Sequence, residues 1–220
     1  MNQFSNYDVF IFDCDGVILD SNQLKIDSME NVLSRLSLPK CEILRAKKYF
    51  SKNFGKSRFH HVDYFLEHIF EVETSTKEKW RNKILDGFSI ECENLYLKAQ
   101  VTPGFELVIS NLKGTKYIAS GSKEDELRNV FKRRGLNKYF AEIYGSPRSK
   151  SDIVAEIKKH HKESKIVMVG DAISDFEAAS NNIIDFYGYI PYSNVKGEME
   201  TLSKENNFTL MTSWFDFNER

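Results

Sequence analysis

The sequence predicts an α/β protein: a doubly wound, Rossmann-like parallel sheet carrying an inserted block of four helices. Three observations predict it. Short apolar runs end in small polar turns at Asp13/Asp15, Ser120/Gly121 and Asp171/Asp175, as buried parallel strands do where they reach the sheet edge that binds ligands. From residue 101 onward helical and strand patterns alternate, which is how strand–crossover–strand units read. Between residues 21 and 100 four helical patterns follow one another with no strand, too long a stretch for an ordinary connection. The α/β core is therefore assigned to residues 1–20 and 101–220, and a helical cap domain to residues 21–100.

Each element follows from local pattern. Val9 to Phe12 are β-branched or aromatic and too few for a helix, so they read as a buried strand running into Asp13-Cys14-Asp15-Gly16. Strand alternation turns Cys14 away from its acidic neighbours. Ser21 or Asn22 can cap a helix whose stripe is Leu24, Ile26, Met29, Val32, Leu33 and Leu36, ending before Pro39. A second helix from Cys41 to Asn53 carries Ile43, Leu44, Tyr49 and Phe50, with Gly55 as its stop. Helices over residues 58–70 and 75–99 complete the insertion. Thr102-Pro-Gly opens a helix over residues 105–112, residues 116–119 form a strand, and Ser120-Gly121-Ser122 opens a helix over residues 123–134. Residues 139–144 read as a strand, 146–150 as a loop and 152–161 as a helix. A strand over 165–169 runs into Gly170-Asp171, followed by a helix over 174–180, a strand over 183–187, a polar helix over 195–205 and a short closing strand at 208–210.

Bulk composition narrows the function classes. The 220 residues include 31 Lys and Arg against 32 Asp and Glu, so no global field favours nucleic acid or an acidic membrane surface. Three widely spaced cysteines, with no Cys-x-x-Cys pair, indicate neither a disulfide framework nor a zinc knuckle. No basic leader and no run approaching the roughly 18 apolar residues of a membrane span is visible. A soluble, cytoplasmic protein acting on a small molecule is expected, with monomer and dimer both open.

Four carboxylates (Asp13, Asp15, Asp171, Asp175), the hydroxyl of Ser120 and the ammonium of Lys150 converge on one sheet edge in this reading. Acids held together repel unless a cation lies among them, and hard oxygen ligands beside a lysine suit Mg²⁺ and a phosphate better than acyl transfer. A carboxylate not needed by the metal is free to act as a nucleophile. The one basic concentration, Arg45 to Val62, places Gly55-Lys56-Ser57-Arg58 in a turn between two cap helices. Lys56 and Arg58, with His60 or His61, are expected to read an anionic substrate there.

The ordered set Asp13-Cys14-Asp15-Gly16-Val17, Ser120, Lys150 and Gly170-Asp171-x-x-x-Asp175 resembles the four motifs of the haloacid dehalogenase superfamily of phosphohydrolases. The helical insertion after the first motif is similar to the cap of the branch that includes phosphoglycolate phosphatase and β-phosphoglucomutase. The resemblance implies a Mg²⁺-dependent phosphatase, or a sugar phosphomutase if the cap excludes water, working through an aspartyl phosphate; a binding module without catalysis is the third alternative. It implies Asp13 as nucleophile and Asp15 as the acid and base at the leaving group. It further implies Gly16, Ser120 and the Gly121 amide around the phosphate, and Lys150 as charge balance. Asp13, the Asp15 carbonyl, Asp171 and Asp175 would surround Mg²⁺.

Overall fold

The computed structural model describes residues 3–217. Along the chain, strands β1 (Val9–Phe12) and β2 (Leu19–Asp20) precede helices α1 (Asn22–Ser34), α2 (Lys40–Lys52), α3 (Arg58–His68) and α4 (Lys77–Lys98). Strand β3 (Gln100–Val101), helix α5 (Phe105–Asn111), strand β4 (Thr115–Lys123) and helix α6 (Glu124–Arg133) follow. Then come β5 (Glu142–Ser146), α7 (Lys150–His160), β6 (Ile166–Gly170), α8 (Ile173–Asn181), β7 (Asp185–Tyr189), α9 (Lys196–Asn206) and β8 (Thr209–Met211). Six strands form one parallel sheet in the order β5-β4-β1-β6-β7-β8.

β1 is central because every one of its residues can be buried. Phe10 and Phe12 pack toward one face with Phe105, Phe131 and Trp214, while Val9 and Ile11 pack toward the other with Ile153, Val154, Ile157 and Ala178. The two-residue alternation of a strand separates these sets, and each buried large apolar side chain contributes about 1.5–3 kcal/mol. Register does the rest. Phe12 lies level with Ile118 of β4 and Val169 of β6, so Asp13, Ser120 and Asp171, one or two residues further on, come to the same sheet edge at the point where the strand order reverses.

β2 and β3 pair antiparallel, Leu19 with Val101 and Asp20 with Gln100, and make a two-stranded ribbon at the roots of the four-helix block. Two-residue strands carry too little periodicity to be read from sequence. No helix among the described residues is long and apolar enough to cross a membrane.

Several expectations are corrected. Ser120 to Ser122 do not open a helix: β4 runs through them to Lys123, with a register irregularity after Ala119, and α6 starts at Glu124. Its first turn holds Glu124, Asp125 and Glu126, which suit the positive end of the helix dipole. Ser21 precedes α1 but makes no side-chain cap; its hydroxyl is used elsewhere. Leu24 and Leu44 are exposed, because α1 turns Asn22 and Lys25 inward and α2 buries Ile43, Ala46 and Phe50 instead. The strand expected over 139–144 is displaced to 142–146 by a turn of 3₁₀ helix at Asn137–Tyr139.

Candidate active site

The carboxyl ends of β1, β4 and β6, with the start of α7, bring Asp13, Asp15, Ser120, Lys150, Asp171 and Asp175 into one buried cluster. Gly16 lets β1 turn away at once. Its φ is +75°, and a Cβ there would collide with Asp171 Oδ2 and Asn22 Nδ2, so both the backbone angle and the space call for glycine. Lys150, first residue of α7, is placed by the Ser149 hydroxyl, which accepts from the Asp152 amide at 3.1 Å. Its ammonium lies 2.8 Å from Asp13 Oδ1 and 2.5 Å from Asp175 Oδ1. The other oxygen of Asp175 accepts from the Ala172 amide at 3.0 Å.

One oxygen from each of Asp13, Asp171 and Asp175 falls within 4.8 Å of the others. Asn22 donates to Asp171 Oδ2 at 2.6 Å, whereas Asp171 Oδ1 is buried with no hydrogen-bond donor. A buried carboxylate oxygen left unpaired is costly, and a hard cation is the partner that oxygen lacks. Charge counting agrees: Asp13, Asp15, Asp171 and Asp175 against Lys25 and Lys150 leave two negative charges, the deficit that one divalent ion fills. The residues present therefore fit Mg²⁺.

The electrostatics divide the acids. Burial, reinforced by Asp175 and Asp15 and opposed by Lys150, pushes the Asp13 carboxyl up to about 7. Burial and the same crowding of carboxylates raise Asp171 as well. Burial would raise Asp15 too, but Lys25 and hydrogen bonds from Ser21, Lys25 and Ser122 outweigh it and hold that carboxyl below its ordinary value. Lys150 is held firmly as a cation, since Asp13 and Asp175 override its burial.

The turn between α2 and α3 sits directly on this cluster. A Cβ on Gly121 would overlap the carbonyl oxygens of Gly55 and Lys56, and one on Gly55 would meet Ser174 Oγ and approach Lys150 Nζ to 3.3 Å. Two facing glycines thus permit the helical block to close on the sheet edge. Beside the turn lies a cleft of about 390 Å³ whose walls include Lys56, His60, Arg148, Lys150, Ser174 and Glu177.

Arg58 is not in that cleft. It is 4% exposed and donates to Glu126 Oε1 at 2.9 Å, Glu126 Oε2 at 2.5 Å and Ser89 Oγ at 2.8 Å. Its guanidinium bridges α3 to α4 and α6 in place of gripping a ligand. His61 is buried among Phe50, Tyr49 and Phe65 rings, while His60 reaches the Tyr49 hydroxyl at 3.0 Å. Arg148, two residues before Lys150, pairs with Glu124 and Glu156.

Sequence reading missed Asn22, Lys25, Tyr96, Ser122 and Ser193. Ser193 donates to the Asp171 carbonyl at 2.5 Å, and the other four surround Asp171 or Asp15. One signal was available: Asn22, Lys25, Ile26, Met29 and Leu33 share a helical face, and a lysine on a buried face needs an anion.

Comparison with known proteins agrees with this geometry. No curated protein matches the sequence, but many solved structures match the fold. A predicted phosphatase from Clostridium acetobutylicum superposes with a TM-score of 0.72 at 18% identity, covering 94% of each chain. A predicted phosphoglycolate phosphatase from Haemophilus somnus gives 0.76 at 14% identity over 97% of each chain. CbbY of Rhodobacter sphaeroides, solved with xylulose-1,5-bisphosphate, gives 0.70 at 11% identity, covering 94% of this chain and 95% of that one. At such identities these likenesses speak for the fold; the model of the haloacid dehalogenase-like hydrolases, matching residues 7–182, spans all four acidic and basic motifs, and by it the chain belongs to that family.

Proposed function

We propose that the protein is a Mg²⁺-dependent phosphatase of a small phosphorylated metabolite, acting through a phosphoryl group carried on Asp13. The observation that carries this reading is the buried set of Asp13, Asp171, Asp175 and Lys150, with an unpaired Asp171 oxygen and all four groups within a few ångströms. Asp13, Asp171, Asp175 and the Asp15 carbonyl would hold Mg²⁺. The ion, when bound, neutralises charge on the phosphate and keeps Asp13 ionised.

Asp13 attacks phosphorus while the bond to the leaving oxygen breaks. Ser120, the Gly121 amide and Lys150 hold the phosphate, and Lys150 keeps Asp13 oriented toward it. Asp15, held as a carboxylate by Lys25, Ser21 and Ser122, must first take up a proton to give one to the departing alkoxide, and as a carboxylate it then takes one from the water that hydrolyses the aspartyl phosphate. Catalysis is positioning and charge neutralisation. The helical block of residues 21–100, rooted on the β2–β3 ribbon, acts as a lid that must open for substrate. Lys56 supports an anionic substrate from the cleft rim; Arg58 does not.

Hydrolysis of p-nitrophenyl phosphate and of a panel of sugar and sugar-acid phosphates is expected to require Mg²⁺. Absence of metal-dependent turnover across the panel would overturn the reading, and isomerisation of one sugar phosphate without phosphate release would replace it with a mutase.

Metal and pH should act together on stability. A carboxyl whose value is raised by folding, as for Asp13, binds its proton more tightly folded than unfolded. The folded state bears no penalty below the unfolded value of 3.8, and loses stability as pH rises from there through about 7. Asp15, shifted down, acts only at more acidic pH. The metal-free protein is therefore expected to melt lower at pH 8 than at pH 5. Mg²⁺ at about a hundred times its Kd adds about 2.7 kcal/mol, roughly 5–10 °C in a chain of this size. At one fixed Mg²⁺ concentration the gain should be larger at pH 8, where Asp13 is ionised; calorimetry showing an equal or smaller gain there would refute the metal assignment.

A further inference from the structure

Asn22, the first residue of α1, is 2% exposed and reaches into the acid cluster. Its amide uses both hydrogens: Nδ2 donates to Asp171 Oδ2 at 2.6 Å and to the Tyr192 carbonyl oxygen at 2.9 Å. The next residue, Ser193, donates to the Asp171 carbonyl at 2.5 Å. The segment after β7 therefore holds Asp171 at its backbone directly and at its carboxylate through Asn22. Gly16 leaves the room for this arrangement, since a Cβ there would collide with both Asp171 Oδ2 and Asn22 Nδ2.

Two buried oxygens of the pair, Asp171 Oδ1 and Asn22 Oδ1, have no hydrogen-bond donor among the described residues. A buried acceptor left unpaired is costly. The amide cannot be turned over to relieve it, because its oxygen would then face the Asp171 carboxylate and the Tyr192 carbonyl. A hydrated cation supplies what each oxygen lacks: a positive centre for the carboxylate, and water hydrogens for the amide.

The same hydrogen bond limits how Asp171 can bind. With Oδ2 engaged by Asn22, one oxygen is left free for a cation. The neighbouring acids are limited in a similar way: Lys150 Nζ lies 2.8 Å from Asp13 Oδ1, and Asp175 has one oxygen on Lys150 and the other on the Ala172 amide. The cluster thus presents single oxygens rather than both oxygens of one carboxylate. Mg²⁺ suits such a set, because it takes few protein oxygens and keeps several waters, whereas the larger Ca²⁺ takes more oxygens and accepts both from one carboxylate.

We infer that Asn22 is a positioning residue of the metal centre: by tying up Asp171 Oδ2 it presents Oδ1 alone, and so sets a preference for Mg²⁺ over Ca²⁺. This role rests on the phosphatase reading, from which the metal site comes. Asn22 contributes no atom to the exchange at phosphorus.

Metal binding tests the role without turnover. The chelator-treated full chain is titrated with magnesium chloride or calcium chloride in a calorimeter, below its melting transition. Loss of a residue that orients a metal ligand costs about 10–100-fold in metal affinity. Asn22→Leu, close in shape and without a donor, should weaken Mg²⁺ by that factor and Ca²⁺ by less, since the freed Oδ2 lets Asp171 hold Ca²⁺ with both oxygens. The preference for Mg²⁺ should shrink at least about tenfold. Asn22→Ala frees the same oxygen and serves if Asn22→Leu does not fold. Equal losses for the two ions, a larger loss for Ca²⁺, no change for either, or a wild type that prefers Ca²⁺ would overturn the role. A wild type that binds neither ion would instead overturn the Mg²⁺-dependent phosphatase reading, and the role of Asn22 with it.

Discussion

Asp13→Asn is expected to lower kcat on any accepted phosphate ester by about 10⁴-fold or more while leaving the fold intact. A nucleophile that works as a unit with its neighbours is worth on the order of 10⁴–10⁶-fold, and the amide of Asn cannot accept a phosphoryl group. The substitution nearly conserves shape, so the packing around β1 should survive. Stability supplies a second readout. The Asp13 carboxyl is pushed up to about 7 by burial and by Asp175 and Asp15, so a neutral side chain there removes a repulsive charge from the metal-free protein. Asp13→Asn should melt above the wild type at pH 8 in the presence of chelator, and the advantage should vanish at pH 5, where the Asp13 carboxyl already holds its proton. Residual turnover above about one per cent in a folded variant would mean that phosphate is transferred directly to water, with Asp13 only a metal ligand.

The parts of this site visible in the sequence are those that chain connectivity places at strand ends. Asp13, Ser120 and Asp171 each follow an apolar run, and register between β1, β4 and β6 brings such runs to one edge whatever the side chains do later. Lys150 was legible only as a loop residue ahead of a helix; the structure makes it the first residue of α7, with Ser149 as the cap. What stayed hidden depends on the lid docking. Lys25 and Tyr96 are 71 positions apart and meet only because α1 packs on α4 above Asp15. Helical periodicity shows that they face inward, but not what they face. Arg58 failed differently. A basic run with no acid nearby in sequence looks unpaired, yet Glu126 supplies the acid from the first turn of α6.

That pair leads to the largest expected effect on stability. Arg58 and Glu126 are 3% and 14% exposed at their side chains and share two hydrogen bonds, with Ser89 taking a third and the Phe88 ring 5.2 Å from the guanidinium carbon. Removing one member of a buried pair costs about 3–5 kcal/mol, because the other charge is left without compensation. Arg58→Met should fall near the lower end, since Glu126 retains some access to water, and should reduce the melting temperature by about 6–12 °C. Replacing both residues, Arg58→Met with Glu126→Met, should restore most of the loss, as two apolar side chains of similar length fill the space between α3, α4 and α6 without an orphaned charge. The same variants decide what Arg58 does for substrate. With its guanidinium engaged by Glu126 and Ser89, any fall in kcat/KM for Arg58→Met should be equal on anionic and neutral phosphate esters, measured well below the melting transition. A loss confined to the anionic ester would show that Arg58 leaves Glu126 to meet the substrate, and the pair would then be a ligand-operated contact between cap and core.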